Sequence, residues 1–184
     1  MSKNNFSDIV LDIETLSLRP NALVLSVSAI GFNPMEITTN FSNNSTLDIL
    51  LNLDDQPNRD INDDTVSWWS RQNPIIQKKV FGEEGRISVV EAIDQITKFC
   101  WLKDRIWIQG PTFDVPVLNN LFEEYGKGLP WAYHTIRDSR TLLDLIPIES
   151  ESATHDSLAD CIRQAIMIQK ALSGLGVKQF ARAK

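Results

Sequence analysis

Asp12 and Glu14 stand two positions apart in the run I-V-L-D-I-E-T, residues 9–15. In an extended strand alternate side chains share a face, so both carboxylates point the same way. Like charges that close raise each other's pKa and repel unless a cation lies between them. A hard divalent ion such as Mg²⁺ or Mn²⁺ takes oxygen ligands and supplies that cation. The plainer alternative is a solvated strand end opening a loop, and D-x-E alone does not separate the two. Other acids bear on the choice. Asp114, in Q-G-P-T-F-D, falls at a strand-to-helix junction, where α/β proteins place ligands and where Asp is also a common helix cap. Asp160, in H-D-S-L-A-D, falls in the first turns of the last helix among apolar neighbours, and a buried acid needs a partner. His155 precedes it by five positions. That spacing does not stack the two on one helical face, but it lets a loop histidine overhang a site that the helix lines. A surface or capping histidine is the alternative. His134, in W-A-Y-H-T, has no acidic partner nearby and reads as a loop residue.

The elements that must position these groups are legible as periodicity. Residues 9–15 form an opening strand. A second strand alternates through Leu23, Leu25, Val27 and Ala29, and Gly31 to Pro34 turns the chain. A third is expected around Ile37 to Phe41, completing a meander. Residues 43–60 are polar, with a leucine cluster at 47–53 that the pattern does not type. A helix is expected from Asn62–Asp64 through Trp68 and Trp69, and a short one from Pro74 to Val80. Ser88 and Glu91 form a capping box before an amphipathic helix reaching about Leu102. Arg105 to Gln109 reads as a buried strand, Val115 to Tyr125 as a helix, residues 126–136 as an aromatic loop, and Asp138 to Ile146 as a helix. The last helix spans Ser157 to Leu172. Strands first, then helices interleaved with a strand, give an α/β domain with a mixed sheet flanked by helices.

With 184 residues the chain is expected to be one domain, its core at about 8–172 and followed by a basic tail carrying Lys178, Arg182 and Lys184. The net charge of −6 excludes binding nucleic acid through an overall positive field, but it suits clustered acids that serve as metal ligands. Cys100 and Cys161 lie in apolar helical patterns without metal or redox spacing, so they read as buried thiols of a reducing compartment. No membrane span or signal peptide is expected, and cytoplasmic residence is the expectation.

Asp12, Glu14, Asp114, His155 and Asp160, in that order and at domain-scale spacing, resemble the DEDDh 3′–5′ exonucleases of the ribonuclease H-like fold. D-x-E, F-D after a strand, and H-x-x-x-x-D are that family's three motifs, and the likeness covers roughly residues 8–172. Within the family the wording is nearest to the T-even phage exonuclease A kind and to mycobacterial-type 3′–5′ exoribonucleases, through D-I-E-T-L-S-L-R-P-N-A, T-V-S-W-W-S-R-Q, G-P-T-F-D and R-D-S-R-T-L. Polymerase proofreading subunits usually carry T-G after D-x-E. Leu16-Ser17 follows Thr15 here, which sets a proofreading role aside but not the chemistry.

The resemblance implies two ions, Mg²⁺ or Mn²⁺, about 3.5–4 Å apart around the scissile phosphate. It places Asp12 across both, Glu14 and Asp160 at one, Asp114 at the other directly or through water, and His155 as the base that takes a proton from water. The implied substrates are single-stranded 3′ ends of DNA or RNA, and the products nucleoside 5′-monophosphates. Thr15 and Leu16 are expected to face the terminal nucleotide, with Leu16 wedged against a base and Phe113 stacked. Trp68 and Trp69 point about 100° apart on a helix, so one can be core and the other a stacking platform, the plainer alternative being that both are core. Arg137 and Arg140 suit either phosphate contact or pairing with acids. Related exonucleases often form homodimers, for which an aromatic loop at Trp131 to Tyr133 offers a surface. Two rivals share the scaffold: an oligonucleotide-trimming phosphodiesterase, and a non-catalytic nucleic-acid-binding module, which predicts a lost acid or histidine.

Overall fold

Strand β1 (Asp8–Thr15) runs through the middle of a six-stranded mixed sheet in a computed structural model that describes residues 6–147 and 153–180. The others are β2 (Val24–Phe32), β3 (Thr46–Leu51), β4 (Arg86–Ile87), β5 (Arg105–Ile108) and β6 (Ile136–Asp138), in the order β4-β3-β2-β1-β5-β6. β1, β2 and β3 form an antiparallel meander, while β5 and β6 add in parallel on the other side of β1. The helices are α1 (Asp63–Trp69), α2 (Pro74–Phe81), α3 (Val89–Cys100), α4 (Pro111–Glu124), α5 (Ser139–Leu143) and α6 (Ser157–Gly174). No helix among the described residues is long and apolar enough to cross a membrane.

Helices cover both faces of the sheet, which is why β1 and β2 read as almost unbroken apolar runs. Ile9, Leu11 and Ile13 pack with Ile93 and Ile96 of α3 and with Leu118 and Leu121 of α4. Val10, Ile30 and Trp107 pack on the opposite face with Cys161, Ala165 and Ile168 of α6. A third cluster gathers Leu16, Leu23 and Leu25 with Trp69 and Val80, seating α1 and α2 beside the end of β1. Alternation along β1 therefore assigns Asp8, Val10, Asp12 and Glu14 to the α6 face.

The third strand lies nine residues later than the expected Ile37–Phe41. Ile37 is exposed, whereas Leu47, Ile49 and Leu51 alternate inward from the leucine cluster that periodicity did not type. α4 begins at Pro111 rather than Val115. Proline fits the first helical position because its missing N–H has no partner there anyway. Gly110 turns the chain into it at φ 95°, a conformation that favours glycine. Asp114 thus stands inside the first turn, not at the helix boundary. β4 and β6, of two and three residues, are too short to show a period and went unread. The expected helix from Asp138 is the single short turn α5, capped by Asp138 itself. Of the basic tail, Arg182 and Lys184 lie outside the described residues.

Candidate active site

Asp12 and Glu14 leave the carboxyl-terminal half of β1 directly opposite Ser28 and Ser26 of β2. Those serines are small for a reason visible above them. Ser157, in the first turn of α6, meets Ser28 Oγ at 2.7 Å and Ser26 Oγ at 3.1 Å, and all three are buried. Cys161 Sγ lies 3.4 Å from the Ser28 carbonyl oxygen. The start of α6 is thereby drawn down onto the sheet beside the two acids. Asp156 caps the helix, accepting from the amides of Leu158 and Ala159. One turn on, Asp160 faces β1. Ligand oxygens of Asp12, Glu14 and Asp160 all lie within 4.8 Å of one another.

The backbone before α6 bends around Asp160. Amides of Thr154 and His155 donate to its carboxylate at 3.0–3.2 Å, and Arg163 approaches it at 3.3 Å. His155 takes a left-handed conformation, φ 60°, to make this turn. Its ring stands edge-on to Trp68, with centroids 4.6 Å apart. Trp68 in turn meets Trp69 edge-on at 5.1 Å. Trp69 is buried, and its indole N–H donates to the Thr15 carbonyl at 2.9 Å, fixing the chain just past Glu14.

The electrostatics of the cluster are those of a cation site. Burial, then the charges of Asp114 and Asp160, push the Asp12 carboxyl well above the usual carboxylate range, and Arg163 works against them. Burial and four neighbouring acids push Glu14 up to about 9. Burial raises Asp114 to about 7 against the amides of Asp114 and Ile13 and the guanidinium of Arg140. Asp114 is not within the tight trio, but its charge is felt by Asp12 and Glu14 alike. Four acids held this way cannot all ionise at neutral pH without a cation among them, and all offer oxygen. The donor set therefore fits hard divalent ions such as Mg²⁺ or Mn²⁺.

Beside Glu14 opens a pocket of about 570 Å³. Thr15, Trp68, Trp69 and Phe113 line it, together with Leu18, Arg19 and Asn62. Leu16 does not serve as the expected wedge: it is turned into the core against Trp69 and Leu25. The exposed apolar side chain at the pocket is Leu18 instead. The loop is set by Ser17 Oγ on Asp60 at 2.5 Å and by the Leu16 amide on the Leu23 carbonyl, which sends Leu16 inward. Arg140 lies away from the pocket, over Gly110 and near Asp114. Sequence reasoning overlooked Ser26, Ser28, Ser157 and Lys79. Lys79 Nζ bridges Asp156 at 2.9 Å and Asp48 at 3.2 Å, and Asp48 accepts from Ser28. Ser26 and Ser28 did carry a signal, as polar residues inside an otherwise apolar strand.

This is the fold of the ribonuclease H-like DEDDh exonucleases. The chain superposes on E. coli exonuclease I, zinc-bound and in complex with single-stranded DNA, at a TM-score of 0.66 and 12% identity, over 91% of this chain and 40% of that one. It matches S. pombe Pop2p with Mg²⁺ and Mn²⁺ at 0.61 and 9%, over 96% and 86%. It matches the nuclease domain of 3′hExo, a DEDDh family member bound to rAMP, at 0.58 and 12%, over 96% of each. The chain spans about 40% of the length of exonuclease I. No curated protein sequence matches it. Residues 7–172 match the 3′-5′ exoribonuclease Rv2179c-like domain, and the chain belongs to that family.

Proposed function

We propose that this chain removes nucleoside 5′-monophosphates one at a time from single-stranded 3′ ends, with Asp12, Glu14, Asp114, Asp160 and His155 as its catalytic set. The carrying observation is the trio Asp12, Glu14 and Asp160 with oxygens within 4.8 Å, beside a pocket large enough for a nucleotide. Asp12, Glu14 and Asp160 would hold one metal ion, and Asp12 with Asp114 a second. When bound, such ions stabilise charge on the phosphoryl and leaving oxygens and lower the pKa of the attacking water.

The chain's own residues do the rest. His155, held edge-on against Trp68, takes the proton of the attacking water at a ring nitrogen. Trp68 and Phe113 flank the terminal nucleotide, and Leu18 meets its base at the rim. The five catalytic groups come from one chain, so the reading holds for a monomer and a homodimer alike. A cytoplasmic setting suits the two buried free thiols, Cys100 and Cys161. The family's name points to RNA, while exonuclease I was captured on single-stranded DNA.

The test uses 5′-labelled RNA and DNA oligomers of one sequence with Mg²⁺ or Mn²⁺, a chelator lane and Asp12→Ala. A ladder shortening from the 3′ end, absent with chelator and in the variant, is expected. Full activity in Asp12→Ala would sink the assignment. Cleavage of dinucleotides alone would move it to an oligonucleotide-trimming phosphodiesterase.

A further inference from the structure

A second hollow lies on the other flank of α4. Phe113 of the first helical turn lines the active-site pocket, while its neighbour Thr112 lines this groove. Thr112, Val115 and Asn119 form one wall, and Trp131 and Tyr133 of the loop before β6 line it too, around a space of about 370 Å³. Two features of the groove lack an internal explanation. Tyr133 is 91% exposed, so its ring contributes nothing to the core. Asn119 Oδ1 is shut off from solvent and is the one buried side-chain nitrogen or oxygen among the described residues without a hydrogen-bond partner. A buried acceptor left unmade costs about 1–3 kcal/mol, so a donor belongs there. Arg140, packed over Gly110, sets a cation at the head of the same helix.

We propose that this groove is a second base-binding subsite, taking an unpaired base of the strand whose 3′ nucleotide occupies the active-site pocket. It rests on the exonuclease reading. Aromatic faces bind unpaired bases by stacking irrespective of sequence, and Tyr133 offers such a face beside the half-buried Trp131. Turned into the groove when a base binds, the Asn119 amide oxygen selects bases that present an exocyclic amine, adenine at N6 or cytosine at N4, over uracil, which presents a carbonyl. The cation of Arg140, at the head of α4, suits a backbone phosphate of that strand. A dinucleotide is too short to reach around the helix; an oligomer is not.

The experiment compares wild type, Tyr133→Ala and Asn119→Ala on labelled oligo(A), oligo(C) and oligo(U) dodecamers and on dinucleotides. Tyr133→Ala should raise the dodecamer KM at least about fivefold, the worth of one stacked base, with dinucleotide turnover unchanged. Asn119→Ala should erase a preference of about threefold to tenfold for oligo(A) and oligo(C) over oligo(U), the worth of one neutral hydrogen bond. Unchanged dinucleotide turnover also certifies that the variants fold. Variants equal to wild type on dodecamers would overturn the subsite and leave the exonuclease standing. Should wild type prove inactive, fluorescence anisotropy of labelled oligo(A) reads the groove separately, with tighter binding to wild type than to Tyr133→Ala as the supporting result and equal binding as the contrary one. A wild-type dimer in sedimentation that Tyr133→Ala dissolves would also overturn it, giving the surface to a second copy of the chain.

Discussion

Asp8 and Asp12 sit on one strand, on one face, four residues apart, and the protein treats them oppositely. Burial raises both carboxyls. Around Asp8 the chain supplies answers: the Trp107 indole N–H at 2.8 Å, Ser7 Oγ at 2.8 Å and the Arg105 guanidinium at 3.6 Å. Around Asp12 it supplies more acids, with Arg163 as the opposing charge. A carboxylate that has its own donors is part of the scaffold. One surrounded by its own kind is stable only with something from outside, and this contrast, more than the D-x-E spacing, marks where function lies.

The sharpest way to break the comparison is to delete each acid. Asp12→Ala should lower kcat about a thousandfold or more while the protein still melts cooperatively, as read by single-turnover assay and calorimetry. Asp8→Ala should do the reverse, leaving kcat within about threefold but destabilising by roughly 3 kcal/mol, because Arg105 and Trp107 lose a buried partner. If Asp8→Ala were as inactive as Asp12→Ala, the two ends of β1 would not differ in kind. His155→Ala should cost about 10²–10⁴ in kcat with the stability given by Mg²⁺ intact, since on the proposed reading it removes a base and not a ligand.

A subtler break lies in pH. Glu14 keeps its proton up to about pH 9 in the folded chain and loses it near 4.5 when unfolded. Across that window the folded chain binds more protons, so metal-free stability falls as pH rises. Chelated wild type should therefore melt at progressively lower temperature from pH 5 to 9. Glu14→Gln should flatten that slope and gain on the order of 1–3 kcal/mol at neutral pH, although inactive. Flat wild-type melting in chelator would mean the cluster is not strained. Smallest is Lys79→Met. Its bridge is part-exposed and worth under about 1 kcal/mol of stability. Loosening the turn that carries His155 should cut kcat roughly fivefold with KM unchanged, the equivalent of about 1 kcal/mol in the barrier.

What the sequence conveyed follows the same division. Asp12, Glu14 and Asp160 announced themselves because acids in apolar stretches violate periodicity, and the structure brings these three together. The amphipathic α3 and the buried β1 and β2 were readable for the complementary reason, that they obey it. Leu16 was misplaced because a loop has no period. Its direction is set by Ser17 on Asp60 and by backbone pairing with Leu23, contacts distant in sequence or invisible to pattern. Lys79 could not be found at all, since its partners Asp48 and Asp156 lie 31 and 77 residues away and meet only after the sheet forms.

The hydroxyl contact among Ser26, Ser28 and Ser157 has a consequence for descent. If Glu14 mutates away with the gain in metal-free stability predicted above, the path from enzyme to inert scaffold runs downhill. No such path exists at the serines, where 2.7–3.1 Å separations leave no room for a bulkier side chain without lifting α6 from the sheet. Copies of this gene that have abandoned catalysis should therefore still carry serine, alanine or glycine at positions 26, 28 and 157. The fossil of the active site would be its small residues, outlasting the charged ones.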